Sequence, residues 1–313
     1  MKHYTTARII IWSIVAVICF GVLFAGLSVH GKSFPWLNFG VGMGYAYSGS
    51  EKYAVGGGSV IANDTQSIEI NWISGNVDVV PYDGDTIQFD EKSYGSVDEA
   101  HAMRYLAENG KFIIQFCSPR VRWRSLRNYR KDLTVKLPYE LALRNFTLNA
   151  VSVDIHLEGI RAGDLDINSV TGSMTVKDTS GETITLKNVS GNIAAEDILA
   201  ATLRANTVSG HINIAAKVER AKLNSVSGLV KLYTDENVRD IDIVTVSGGI
   251  SLELPENDGF NVRYSSVSGG FNCEFPVEIS GKHGIYKNGI RDISFKTVSG
   301  GMSIVRRQGN ADL

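Results

Sequence analysis

Leu203-Arg204-Ala205-Asn206-Thr207-Val208-Ser209-Gly210-His211-Ile212-Asn213-Ile214 is the phrase on which the fold turns. Its centre, a β-branched residue followed by Ser or Thr and then Gly, recurs along the chain. The copies are Val170-Thr171-Gly172, Val189-Ser190-Gly191, Val208-Ser209-Gly210, Val226-Ser227-Gly228, Val246-Ser247-Gly248, Val267-Ser268-Gly269 and Val298-Ser299-Gly300, with Ile73-Ser74-Gly75 as an outlier near the start. Val151-Ser152-Val153 is a copy without its glycine. With Val153 counted as a glycine position, the steps are 19, 19, 19, 18, 20, 21 and 31 residues. A fixed period of about twenty residues marks a solenoid, in which each coil covers the apolar face of its neighbour.

With each glycine position set to zero, apolar residues recur at −7, −5, −2, +2 and +4. Around Gly210 these are Leu203, Ala205, Val208, Ile212 and Ile214; around Gly228 they are Ala221, Leu223, Val226, Val230 and Leu232. The pairs at −7/−5 and +2/+4 alternate with polar neighbours, which predicts two short half-buried strands per coil. The step from −5 to −2 breaks the alternation and predicts a bend there, beside the Ser-Gly corner. Glycine suits such a corner because it accepts positive φ, and a neighbouring hydroxyl can close the turn on backbone. Gly75, Gly172, Gly191, Gly210, Gly228, Gly248, Gly269 and Gly300 are the structural corner glycines of this reading. Stacking predicts that Ile212, Val230 and Ile250 form one buried column and Ile214, Leu232 and Leu252 another, with Asn213, Lys231 and Ser251 outside. Asn149, Asn168, Asn206 and Asn224 share position −4, where amides can stack as a ladder. The fold expected is all-β: a right-handed, single-stranded parallel β-helix of roughly 19-residue coils, with a β-rich N-terminal cap and one transmembrane helix before it.

The phrasing resembles the bacterial "putative adhesin" domain-of-unknown-function family, VSG-repeat envelope proteins that include the LiaG-like proteins. The resemblance covers residues 66 to 305. It rests on Ile70-Asn71-Trp72-Ile73-Ser74-Gly75-Asn76-Val77, on Leu133-Thr134-Val135-Lys136-Leu137-Pro138 and on the VSG ladder. It implies a solenoid displayed at the cell envelope, in an adhesion or envelope-stress setting. The missing glycine at Val153 departs from the pattern and marks an atypical first coil.

Composition narrows the field. A formal charge of −2 over 313 residues argues against a nucleic-acid partner, which draws basic proteins. Thirty-two glycines with six prolines fit a turn-rich β protein. Three cysteines are too few for a disulfide framework. Cys273 falls at a +4 position, where a buried thiol is expected, and a Cys117–Cys273 bridge is the alternative.

Taken in order, residues 1–8 carry Lys2 and Arg8, and Ile9 to Val29 then runs 21 residues without a charge. That length crosses a hydrocarbon core, so 9–29 reads as a transmembrane signal anchor, with a cleaved signal peptide as the alternative. The positive charges before it predict a cytoplasmic tail at 1–8 and an extracytoplasmic C-terminal domain, a single-pass protein of the cell membrane. Residues 30–58 are glycine-rich, with Tyr45, Tyr47 and Tyr53 between the glycines, and read as a flexible stalk. Residues 59–142 read as the cap, in which Ile68-Glu69-Ile70, Val77-Asp78-Val79 and Ile87-Gln88-Phe89 alternate as strands. Ser96-Val97-Asp98-Glu99 has the form of a capping box and Asn109-Gly110 of a stop, predicting a short helix with Met103 and Leu106. The solenoid proper is 143–306, with a tail at 307–313. Pro276 to Gly289 is an insertion expected to project as a hairpin.

One run carries a candidate ligand site. Arg120, Arg122, Arg124, Arg127, Arg130 and Lys131 fall within twelve residues without an acid, interleaved with Trp123, Leu126 and Tyr129. They form either a patch for an anionic ligand or an edge strand whose charges prevent further pairing. Nothing else points to chemistry. Asp166 and Asp242 share a column but lie four coils apart, roughly 19 Å at ladder spacing, too far for paired glycosidase carboxylates. His156 and His211 occupy different columns without companions for a metal. The reading therefore has no catalytic residue, no cofactor and no metal. It describes a membrane-anchored, non-catalytic binding or accessory protein. Its partners would be the membrane through one span, and envelope polymers or membrane proteins. The alternatives are a glycan-active enzyme on the same solenoid, and a passive stalk that meets another membrane protein.

Overall fold

A residue that points inward on one coil must find a similar residue at the same place on the next, because parallel strands pair rung by rung. The computed structural model, which describes residues 37–38, 44–45, 47–119, 121–122, 126, 129–235 and 237–307, is built on that rule. The chain divides into two compact units, Leu27–Thr185 and Leu186–Leu313, with the boundary inside one strand.

The first unit contains β1 (Leu37–Asn38), β2 (Gly44–Tyr45), β3 (Ala54–Val55), β4 (Gly58–Ile61), β5 (Ser67–Tyr82), β6 (Thr86–Ser93), β7 (Arg104–Glu108), β8 (Lys111–Gln115), β9 (Lys131–Pro138), β10 (Ala142–Glu158), β11 (Arg161–Thr171) and the first part of β12 (Met174–Ser190). Strand β5 is the pivot. On one side it pairs in parallel with β10, Gly75 opposite Val153, and β10 pairs in turn with β11 and β12. On its other side it meets β8 with its first half and β9 with its second, again in parallel. Antiparallel strands then close this end, β7 on β8, β3 on β7, β6 on β9 and β4 on β6. The alternating residues at 68–70, 77–79 and 87–89 are strands as expected, and the region is β-rich.

The helix expected between Ser96 and Asn109 does not form. Asp98 accepts a hydrogen bond from the His101 amide at 3.0 Å, but the chain makes only a turn. It then enters β7, with Met103 fully buried just before it. Asn109 (φ 53°) and Gly110 (φ 74°) form the two-residue link between β7 and β8. Asn-Gly with both residues at positive φ is a hairpin turn, and that chemistry overrides the capping signal. The stretch expected as a stalk is also engaged: Tyr45 is buried, and its hydroxyl donates to Gln115 Oε1 at 2.6 Å.

The transmembrane signal anchor, and with it the single-pass topology, the membrane as partner and a membrane-anchored function, are corrected. Among the described residues no helix is long and apolar enough to cross a membrane, and the fold is strand-rich with one 3-10 turn at Ser50–Lys52. Residues 9–29 lie outside the described residues. Length without charge is a requirement for a span, and it does not by itself establish one.

In the second unit β13 (Ile193–Ser209), β14 (Ile212–Ser227), β15 (Val230–Thr234), β16 (Asp240–Ser247) and β17 (Ile250–Leu254) stack in sequence order. After them come β18 (Gly259–Ser265), β19 (Phe271–Cys273), β20 (Glu278–Ser280), β21 (His283–Lys287), β22 (Arg291–Lys296) and β23 (Met302–Arg306). Here sequence order and spatial order part. The last strands slot between earlier ones: β22 pairs with β16 on one side and β18 on the other, β23 with β17 and β19. The insertion does form a hairpin, β20–β21. It does not project, because β21 pairs antiparallel with β18 and closes that edge.

The inner columns are in the expected register. Ile212, Val230, Ile250 and Met302 stack, as do Ile214, Leu232, Leu252 and Ile304, all at 2% exposure or less. Asn213 is exposed, while Lys231 and Ser251 are half-buried. The bend expected between −5 and −2 lies elsewhere. Alternation continues from −7 and −5 to −3, where small polar residues point inward: Ser169, Thr207, Ser225, Thr245 and Thr297 are all buried. The valines at −2 lie on the outer side, half-buried in most coils. A further inward pair, Ile198 and Ala200 in β13, follows a bulge at Glu196–Asp197, with Asp197 at φ 54°. Strand β14 lacks that extra residue, which accounts for the single 18-residue step.

The corner glycines pack against one another. Gly210 has φ 147° and Gly228 has φ 136°. A Cβ on Gly228 would penetrate the carbonyl oxygen of Gly210, and one on Gly210 would penetrate that of Gly191. Gly210→Val is therefore expected to destabilise by more than about 1 kcal/mol, since both its dihedrals and its space exclude a side chain. Chemical denaturation measures this directly. Position −3 predicts the opposite sign. Among the described residues the hydroxyls of Thr207, Ser225, Thr245 and Thr297 are buried without a partner. Thr207→Val keeps the shape and removes the stranded hydroxyl, so its denaturation midpoint should rise, by the equivalent of about 1 kcal/mol.

Candidate functional site

Position −4 lies between two inward residues, so its side chain points away from the core. In the first unit it is Asn71, Asn149 and Asn168 on successive strands β5, β10 and β11, aligned by register. The coil spacing brings their amides into contact. Asn149 Nδ2 donates to Asn71 Oδ1 at 2.9 Å, and Asn168 Nδ2 donates to Asn149 Oδ1 at 3.2 Å. Asn71 is buried, and its own Nδ2 donates to Glu69 Oε1 at 3.0 Å; Asn149 and Asn168 are half-exposed. The second unit repeats the device with Asn224 Nδ2 donating to Asn206 Oδ1 at 2.7 Å. Such bonds polarise one another along the row. The expected column is thus extended by Asn71. The signal was present, since Asn71 stands four residues before Gly75, the outlying copy.

Other outward positions serve the backbone. Asp154 Oδ1 accepts from the Ser173 amide at 2.8 Å, Asn192 Oδ1 from His211 N at 2.9 Å, and His211 Nδ1 from Leu229 N at 3.0 Å. His156 lies 3.6 Å from Glu158 and near Asp78, whose pKa is raised by burial, with His156 opposing and Asp132 adding to the rise. Among the described residues no group of three or more His, Cys, Asp or Glu could hold a metal ion.

The basic run is described only in part. Arg120, Arg124 and Arg127 lie outside the described residues. Arg122 and Arg130 are exposed, and Arg130 sits 5.7 Å over the Tyr94 ring. Lys131 is taken inside. It occupies the corner position beneath Gly75, its side chain is fully buried, and its ammonium meets Glu91 Oε2 at 2.5 Å. The same ammonium donates to the carbonyl of His101 at 2.7 Å and to that of Phe116, and lies 4.0 Å from the Phe116 ring centroid. Its backbone carbonyl accepts from Trp72 Nε1 at 2.8 Å. In sequence Lys131 looked like the last of six surface cations; nothing in its neighbours distinguished it. Burial pushes its pKa down, with Glu91 opposing. Next to it burial pushes the Cys117 thiol up to about 12, and both Cys117 and Cys273 are free thiols, so the alternative disulfide is not formed.

What this arrangement offers a ligand is hydrogen-bond donors and acceptors repeated from coil to coil. The buried Lys131 and the largely buried Glu91 are occupied by one another and by backbone.

Comparison with known proteins adds the following. A family model described as Toastrack DUF4097 matches residues 65–305. No curated protein matches the chain. Among solved structures, a "putative adhesin" from Bacteroides fragilis is 9% identical with a TM-score of 0.43, covering 80% of this chain and 97% of that one. A "putative adhesin" from Parabacteroides distasonis is 13% identical with a TM-score of 0.42, covering 80% and 97%. A "putative lipid binding protein" from the same organism is 13% identical with a TM-score of 0.38, covering 80% and 97%.

The buried pair predicts a pH signature. Because the folded pKa of Lys131 lies below its ordinary 10.5, the unfolded chain holds that proton more tightly. The contribution of Lys131 to stability therefore rises as pH rises from the lowered folded value and is complete above 10.5. Lys131→Met should destabilise at neutral pH by about 3 kcal/mol, because the largely buried Glu91 loses its cation and keeps only the Met103 amide, 3.1 Å from its Oε2. It should also remove the rise with pH, whereas Glu91→Gln/Lys131→Met recovers part of the loss. Urea midpoints between neutral and alkaline pH check both parts.

Proposed function

The chain belongs to the Toastrack DUF4097 family, and from that premise we propose that it is a non-catalytic, adhesin-like binding domain whose contact surface is the outward amide row of its coils. The observation that carries this reading is the hydrogen-bonded series Asn71–Asn149–Asn168. Asn149 uses one donor and one acceptor within the row and Asn168 one donor, which leaves each half-exposed amide at least one further N–H and one further lone pair for a partner. Those free groups recur at the coil spacing, about 4.8 Å. A partner that presents polar groups at regular intervals, such as an extended polysaccharide, suits a surface of this kind, and binding there requires no nucleophile or base. Within the family, the Val-Ser-Gly corner phrase supports the finer reading of a VSG-repeat, LiaG-like protein. Its organisation would be a β-rich cap over 59–142 followed by the repeats over 143–306, and the corner copies from Gly172 to Gly300 support that division.

The test is cosedimentation of the protein with insoluble polysaccharides, including chitin and purified peptidoglycan, together with an assay for released fragments. Wild-type protein is expected to sediment with at least one of them and to release nothing. Asn149→Leu and Asn168→Leu should each lower the bound fraction severalfold while the thermal midpoint stays close to wild type. Binding that is indifferent to both substitutions, or cleavage of the polymer, would sink the proposal.

A further inference from the structure

In the second unit position −6 shares the outward face of the amide row, two residues earlier in each copy. On β13 and β14 register sets Arg204 opposite Lys222, with Thr202 opposite Arg220 on one flank and Asn206 opposite Asn224 on the other. Arg204, Arg220 and Lys222 are all exposed. Like charges directly opposite one another on a sheet are destabilising. Nothing on these two strands offsets the repulsion, because the six outward residues of the face include three cations and no acid. Acids stand on the next strand, β16. Asp242, in register with Lys222, meets it only at 3.9 Å, and Asp240 is in register with Arg220. Among the described residues no ion pair or side-chain hydrogen bond engages Arg204 or Arg220. Beside these cations Asn224 Nδ2 donates to Asn206 Oδ1 at 2.7 Å, and each half-exposed amide keeps a further N–H.

We propose that the outward face of β13 and β14 binds an acidic polysaccharide, whose carboxylate or phosphate groups meet Arg204, Arg220 and Lys222 while its hydroxyls meet the Asn206–Asn224 amides. This rests on the reading of the outward amide rows as a polysaccharide surface, and it adds the charge of the polymer. The donor fork of a guanidinium matches the oxygens of a carboxylate or phosphate. Arg204 and Lys222 face each other at ladder spacing, about 4.8 Å, so one anionic group between them relieves the repulsion of both. Asp240 and Asp242 repel the same polymer and bound the site on the side of β16. The six residues include no aromatic ring on which a base could stack and no apolar side chain for a lipid tail, which favours a sugar polymer among polyanions.

Titration calorimetry of the full chain tests this with three soluble polymers: alginate, which carries carboxylates, a phosphomannan, which carries phosphates, and neutral pullulan. Wild type is expected to bind at least one of the two acidic polymers, less tightly as salt is added, and to bind pullulan at least tenfold more weakly. The acidic polymer that binds identifies the anionic group. Arg204→Gln and Lys222→Gln should each weaken that binding severalfold, and both combined with Arg220→Gln at least tenfold. The thermal midpoint of each single variant should hold or rise, since a repulsion is removed; residues with a merely structural role would lower it. Lys217→Gln, at an exposed cation of β14 outside this face, should leave binding unchanged. Three results overturn the proposal. The first is a wild-type chain that binds neither acidic polymer, or binds pullulan equally well. The second is binding indifferent to Arg204→Gln and Lys222→Gln. The third is a loss at Lys217→Gln as large as that at Arg204→Gln, the mark of diffuse attraction. None of these bears on sedimentation governed by Asn149 and Asn168, so this proposal and the broader reading fail separately.

Discussion

The structure depends on a contact that allows no side chain. At the Ser-Gly corner each glycine lies against the carbonyl oxygen of the corner beside it, Gly228 on Gly210, Gly248 on Gly228 and Gly300 on Gly248. That approach lets the coils sit at hydrogen-bonding distance through the bend, and the register of the ladder on both flanks follows from it. The inner columns at +2 and +4 and the outer amides at −4 are then fixed together, because a shift of one residue would exchange them. Val153 shows how the rule is relaxed. Its side chain turns inward and is buried, yet Gly172 beside it would still strike the Val153 carbonyl if it carried a Cβ. The row begins at Lys131, whose carbonyl receives Gly75 while its side chain fills the space under Trp72.

Most of this was legible where a side chain advertises its direction. Ile212, Ile214, Val230 and Leu232 alternate with polar residues and could only face in. Position −3 was misread because Ser and Thr resemble surface residues, and the valine next to them drew the assignment to −2. Asn109-Gly110 carried a hairpin signal that a capping box obscured, and the local twist of the turn decided the outcome. Lys131 could not be placed at all, since its burial depends on Glu91, 40 residues away in sequence.

The candidate surface was half visible for a similar reason. The shared −4 position of Asn149 and Asn168 follows from the period alone. Whether their amides meet depends on a separation that a sequence does not contain, and the 2.9 and 3.2 Å contacts supply it. Of the basic run, prominent in sequence, Lys131 is buried and Arg130 leans on Tyr94, whose hydroxyl is held by Asp132 at 2.6 Å, so the charge beside Arg130 is mixed.

The placement of β22 and β23 has a consequence for how the molecule is made. These strands follow β18 and β19 in the chain, yet they belong in the interior of the stack, between β16–β17 and β18–β19. Growth from the N-terminus can add coils one upon another only as far as β17. The next coil to emerge has no place to dock until its future neighbour has been synthesised, so β18 waits with only β21 on one edge and β19 waits without a partner strand. These coils therefore close only after β22 and β23 have emerged, as a keystone enters an arch. Long-range closure of this kind is slow, and bare edges invite misassembly while it lasts. A premature stop before Arg291 would leave the waiting coil permanently without its neighbour, and a quality-control system that reads exposed strand edges would recognise such a chain as unfinished.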